Sequence, residues 1–218
     1  MKRFLCIVTV LLFTLCACAD SVHELAYKQA EACIFSSEYG GSFSNAAKWT
    51  GQIRVFIGGN YNASDVGFFY TFTKTMAENV PDMPDIVLVN DVDDANVTMY
   101  FVKLNEMMNY LDSYTEGNWG YFNCFWNGNH EIYRGRIAIA YDKCDSDARR
   151  HLMMEEFIGM LGIGNDHYLD SKSILYQNWT TTQALTSADW NMIRMLYNPQ
   201  VYAGMSKSAA LDVMKNIY

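Results

Sequence analysis

Apolar residues recur along this chain at two spacings, and the spacings divide it into helices and strands. Steps of three and four bring Val22, Ala26, Ala30 and Cys33 to one face of a helix over 20–34. The same period turns Phe69, Phe72, Thr73 and Met76 inward on a second helix, capped by Ser64 or Asp65 and ended near Val80 by Pro81 and Pro84. Between them, Gln52–Gly58 alternates polar and apolar side chains and closes on Gly58-Gly59-Asn60, a strand and turn. Ile86–Val89 and Val97–Val102 are short β-branched runs expected to neighbour each other in one sheet, and Arg136–Tyr141 is a further strand. Arg149–Asp166 reads as an amphipathic helix, capped by Asp145 or Ser146, that runs into a glycine-punctuated turn. Thr186-Ser187-Ala188-Asp189 is a capping box that opens a helix with Trp190, Ile193, Leu196 and Tyr197 on one face, stopped by Pro199. The tail, Ser206–Tyr218, has a weak amphipathic pattern suited to packing on the surface.

Composition narrows the class. The chain has 218 residues, half of them hydrophobic, enough for one sizeable core and one domain over 20–218. Residues 1–19 hold two cations, an apolar run from Phe4 to Leu15 and small residues, the layout of a secretory signal, too short for an ordinary membrane span. Two processing routes stay open: cleavage after Ala17-Cys18-Ala19, or lipid attachment at Cys18, because Leu15-Cys16-Ala17-Cys18 is like a lipobox. Either route places the protein in the periplasm or cell envelope, with a membrane contact only through a lipid anchor. The formal net charge of -8 becomes more acidic once Lys2 and Arg3 leave, which argues against nucleic acid as a partner. Of the three cysteines beyond the signal, Cys124 and Cys144 flank a predicted strand and are the preferred disulfide pair, with Cys33 left over. Three reduced, buried thiols are the alternative.

Two stretches invite chemistry and have a plain reading beside it. The acidic turn Asn90–Asp94 offers hard oxygens but lacks the glycine and closing glutamate of an EF-hand loop, so it reads as a solvated turn. From Leu104 to Tyr133 the chain is rich in aromatics, including Trp119, Tyr121, Phe122, Phe125 and Trp126. Aromatic faces of this kind form the wall of a sugar or peptide groove, or they pack under a long loop.

The central helix carries the sharper signal. Met153, Phe157 and Met160 share one face, while His151, Glu155 and Gly159 stack at i, i+4 spacing nearly opposite. Glu155 and Glu156 need water, a cation or a cleft, because a buried unpaired charge is costly. In the zinc frame HExxHxxGxxH, two helix histidines bind the metal, the glutamate activates water and the glycine bends the chain so that a third ligand arrives. On that frame Glu156 takes the general-base position and Gly162 the bend, but the ligand positions hold Glu155, Gly159 and Asn165. His151, Glu155, Asp166 and His167 are the residues left for an improvised metal site.

The string R-x-x-x-x-EE-x-x-x-x-LG-I-x-ND, then S-I-L-Y, LT-x-x-D, LYNP and GM, resembles a family of uncharacterised bacterial envelope proteins with a metzincin-like helix that lacks zinc. The similarity covers Thr50 to Met205 and is strongest over 155–205. Ser173–Tyr176 is similar to the Ser-x-Met-Tyr loop of the metzincin proteases, and Leu185–Tyr197 to their closing helix. Gly159 departs from that family's usual Gln and Met153 from its usual Cys. The resemblance implies an α+β, zincin-like fold: a twisted mixed sheet, a backing helix and a central active-site-type helix.

These readings lead to an exported envelope protein whose zincin-like domain is a non-catalytic binding or structural module, with Glu155, Glu156, Asn165 and Asp166 as cleft residues and no cofactor. The alternative is a metal-dependent peptidase or hydrolase with zinc and Glu156 as general base. A cell-wall glycan, a peptide or another envelope protein are the expected partners.

Overall fold

The computed structural model describes residues 21–37 and 40–217. The expected signal segment and the lipidation candidate Cys18 lie outside the described residues. The architecture is mixed α/β: a mostly parallel six-stranded sheet with helices. The strands are β1 (Lys48–Trp49), β2 (Ile53–Gly59), β3 (Ile86–Val89), β4 (Val97–Val102), β5 (Gly120–Trp126) and β6 (Glu131–Ala140). They follow the order β1-β6-β4-β2-β3, with β5 running antiparallel against β6. The described helices are α1 (21–33), α2 (Ala63–Asn79), α3 (Ser146–Met160), α4 (Ser187–Tyr197) and α5 (Lys207–Met214).

β3 and β4 share the sheet but are not neighbours, because β2 lies between them. Register explains how seven residues suffice for this crossing. Val89 ends β3 opposite Phe56 and Val97 opens β4 opposite Val55, so the chain needs little travel along the strands. It spans two strand spacings, roughly 10 Å, well within its reach. The acidic turn makes this crossing: Asp91 caps a short 3-10 turn, and Asn96 fastens its end by accepting from the Arg54 N–H at 2.7 Å and donating to the Gln52 carbonyl at 2.8 Å.

Alternation separates the two faces of the sheet. Ile53, Val55, Val97, Met99, Phe101, Ile137 and Ile139 enter the main core with the helices, while Val102, Ala138 and Ala140 join Met107 and Leu111 in a smaller cluster. On α2 the buried side chains include Phe69, Phe72, Thr73 and Met76, as the periodicity predicts, and Phe157 of α3 meets Phe69 edge-on at 5.0 Å between ring centroids. The α2 cap is Asn62 rather than Ser64 or Asp65, and Asp65 is the reciprocal partner of its capping box. α5 is more than a surface tail, since Ala210, Leu211 and Met214 are buried.

Lys48 is buried at the end of α4. Its ammonium donates to the carbonyls of Leu196, Asn198 and Val201 at 3.0, 3.4 and 2.7 Å, while burial pulls its pKa down to about 8. The Leu196 and Asn198 carbonyls are among the acceptors that the end of a helix leaves without intrahelical partners, and Val201 belongs to the turn that follows.

Candidate functional site

Helix α3 begins at an Asp145 cap and turns Met153, Phe157 and Met160 fully into the core. Near its start Arg149 forms a buried ion pair with Asp65 of α2, donates to the Asn60 carbonyl at 3.0 Å and stacks over Phe101. The arginine of the recognised string is its neighbour Arg150, which reaches Ser64 Oγ at 3.1 Å near the surface. At the other end, Trp49 Nε1 donates to the Met160 carbonyl at 3.2 Å and Tyr197 donates to the Leu161 carbonyl at 2.9 Å. Gly162 then turns the chain with φ 105°, pressed so closely on the Ala47 carbonyl that a Cβ would not fit. The helix is therefore fastened at both ends before its polar face is considered.

That polar face opens on the beginning of β5. Two adjoining hollows of about 440 and 400 Å³ share Gly120, Phe122, Glu156, Gly159 and Gly164 as common wall. The larger runs along β5, all seven of whose residues line it. The smaller is lined by His151, Glu155, Asn165, Asp166, Trp119 and Trp179, among others. His151 and Glu155 interact at 3.3 Å between Nε2 and Oε2, as the i, i+4 spacing predicts, and His151 Nδ1 lies 2.7 Å from the Thr182 carbonyl. Burial pushes the His151 pKa down, but the hydrogen bond and charge of Glu155 and the Thr182 carbonyl outweigh it, so the net shift is upward. The imidazolium form donates on both sides.

The donor set does not fit zinc. Both His151 nitrogens are engaged, with Glu155 and with a backbone carbonyl, which leaves no lone pair directed at a metal. Gly159 supplies no ligand, and a Cβ built there would collide with the Phe122 ring of β5. Asn165 turns toward α1, donating to the Ala32 carbonyl at 3.2 Å. His167 is buried on the far side of the glycine turn and accepts from the Leu169 N–H through Nδ1 at 3.1 Å. Burial holds it neutral, lowering its pKa against the opposing charges of Asp189 and Asp170. Among the described residues no three His, Cys, Asp or Glu side chains form a group able to hold a metal ion.

The structure thus brings Glu155, Glu156, Asn165, Asp166 and His151 to one hollow and leaves His167 out of its lining. It corrects the disulfide: Cys33, Cys124 and Cys144 are all free thiols. Cys124 faces Gly135 in the β5–β6 ladder, whereas Cys144 lies beyond the end of β6 at Ala140. Five strand residues alone separate those levels by roughly 17 Å, against the ~7 Å limit for a disulfide. Cys124 Sγ instead contacts the Met160 carbonyl at 3.4 Å, and burial pushes its thiol up to about 12. The Cys144 thiol is raised by burial to about 11.

Sequence reasoning missed four features. The aromatic run contains strand β5, whose continuous Phe and Tyr character hides the alternation of a half-buried strand. Phe122 was visible only as one aromatic among many, although its ring covers Gly159. Trp179 stands in a polar loop with no helical or strand period to bury it, which is itself a signal of a surface role. Asp189 does more than close the capping box. Buried completely, it accepts from Thr186 N at 2.9 Å, Ser173 Oγ at 2.6 Å, Gln29 Nε2 at 3.3 Å and Ile174 N at 3.4 Å, which joins α1, the Ser173–Tyr176 loop and α4.

A search of the curated proteins finds no match to this chain. A protein family described as a protein of unknown function (DUF2927) matches residues 29–216, which span the sheet, the fastened helix, its cleft and the Asp189 node. The chain belongs to that family.

Proposed function

We propose that the chain is an exported envelope protein whose zincin-like domain acts as a non-catalytic binding module, keeping a protease-type cleft without the metal chemistry. The observation that carries this reading is the Phe122 ring seated over Gly159, where the zinc frame calls for its second helix ligand. The antiparallel edge strand beside a central helix supports the zincin-like part of the reading, as does the glycine bend after that helix. Glu155 serves the cleft as an acceptor by holding His151, and the Glu156 carboxylate packs where a Cβ on Gly120 would stand. Cell-wall glycan, peptide or another envelope protein would enter the space between β5 and α3.

The test is zinc stoichiometry together with binding. Protein purified, reconstituted with zinc and desalted is expected to retain well under one equivalent by elemental analysis. A full equivalent that disappears in both His151→Gln and Glu155→Gln would support a metal-dependent hydrolase with Glu156 as base and overturn the binding-module reading. Export is checked separately, by cell fractionation of the unaltered protein and of Cys18→Ser, which is expected to stay exported and to lose membrane association only if Cys18 carries lipid.

A further inference from the structure

The smaller hollow has an unusual rim. Trp179 and Trp119 are 55% and 38% exposed, although indoles are among the costliest side chains to leave in water. They are also held in place. Trp179 meets the Trp119 ring at 5.2 Å and 69°, and the His151 ring at 5.8 Å and 75°. His151 is in turn fixed by Glu155 and the Thr182 carbonyl. An exposed aromatic platform braced from below loses little side-chain freedom when a ligand covers it, the condition under which contact area converts efficiently into affinity.

We infer that this hollow is a carbohydrate subsite, with Trp179 and Trp119 as stacking platforms and Glu155, Glu156, Asn165 and Asp166 as hydroxyl-binding groups, for a neutral or amino-bearing oligosaccharide. The inference rests on the binding-module reading above and names its ligand class. A pyranose ring presents a flat C–H face flanked by hydroxyls that both donate and accept. The hollow offers the complement: indole faces at the rim, with carboxylates and amides inside. An extended peptide asks for something different, the backbone edge of a strand. That edge lies along the larger hollow, which all of β5 lines, while the smaller one receives only Gly120 and Phe122 from the strand. Charge restricts the sugar further. Glu155, Glu156 and Asp166 line the hollow against one titratable cation, His151, which Glu155 already pairs, and no described Lys or Arg joins them, so uronate or phosphate-bearing polymers are repelled. Its volume of about 400 Å³ is that of a small-ligand site.

Calorimetry and tryptophan fluorescence on the full exported protein test this with four probes: an N-acetylglucosamine tetramer, its de-N-acetylated form, a tetragalacturonate and a lysine-containing decapeptide. The first two are expected to bind and quench, and the uronate is expected not to. Trp179→Ala and Trp119→Ala should each weaken glycan binding about tenfold. Both side chains are substantially exposed, so an unchanged circular dichroism melt will certify the fold of each variant. Binding of the decapeptide alone, indifferent to Trp179→Ala, would overturn the carbohydrate inference and leave the binding-module reading standing. Binding of no probe would overturn the carbohydrate inference and leave the binding-module reading to its zinc test, and preferential binding of the uronate would overturn the charge argument and the inference with it.

Discussion

Helix α3 and the segment after it carry polar groups on two sides, and the two sides behave differently. On the core side, Arg149 is locked to Asp65, and Asp189 gathers donors from three separate segments. On the cleft side, His151, Glu155 and Glu156 line a hollow, where His151 bonds Glu155 and the Thr182 carbonyl. Both sets stand out equally in the sequence, as charged residues within apolar surroundings. The difference teaches that a buried charge with several donors reports how the fold is fastened, whereas a charge at a cavity wall reports what the fold offers to a ligand.

The largest effect should come from breaking the core side. Arg149→Met removes the cation from a pair whose side chains are 11% and 5% exposed, leaving Asp65 buried beside apolar surface. A loss of about 3–5 kcal/mol in unfolding free energy is expected, the usual result of stranding one member of a buried pair. Asp189→Asn should follow at about 2–3 kcal/mol, because an amide turns an N–H group toward donors that the carboxylate had accepted. Urea denaturation read by circular dichroism measures both. If either variant matched the stability of a cleft-side substitution such as Glu155→Gln, the division between fasteners and cleft residues would fail.

This division also explains what was legible beforehand. Helical faces were readable because burial repeats every three or four residues: Phe69, Phe72 and Met76 on α2, and Met153, Phe157 and Met160 on α3, lie where the period puts them. The Thr186–Asp189 capping box was readable because its chemistry is local. Strand order was not, since β2 enters between β3 and β4 through registers that no local pattern encodes. The missing zinc ligands could be counted in the sequence, but the reason Gly159 is tolerated could not. It depends on Phe122, a residue 37 positions away, approaching from strand β5.

That contact yields an intermediate prediction. Gly159→Ala places a methyl group against the Phe122 ring and should cost about 1–2 kcal/mol through displacement of the ring. In a Phe122→Ala background the obstacle is gone, and the same change should stabilise the helix by about 1 kcal/mol through its better helix propensity. The double-mutant cycle reads the coupling directly. Additive effects would mean that Phe122 does not close the ligand position, and the case against a helix-borne metal site would lose its main support.

The smallest effect sharpens the comparison most, because it sets one histidine from each side against the other. His151, on the cleft side, has its pKa raised by Glu155 and the Thr182 carbonyl in spite of burial. Its stabilising contribution is complete below the unfolded value of about 6.5 and is lost as pH rises through the folded value. His167, on the core side, has its pKa lowered by burial. Its contribution is present above about 6.5 and is lost as pH falls through the folded value. In the unaltered protein the two slopes oppose each other. His151→Gln should therefore give a thermal midpoint that climbs between about pH 5 and 8 relative to the unaltered protein, and His167→Gln one that falls. The two opposite slopes appear as a crossing of the two variants' melting profiles rather than as a large loss at any single pH. Parallel profiles would show that the two sides of the helix hold their histidines alike, and the contrast between fastening and binding charges would then rest on the carboxylates alone.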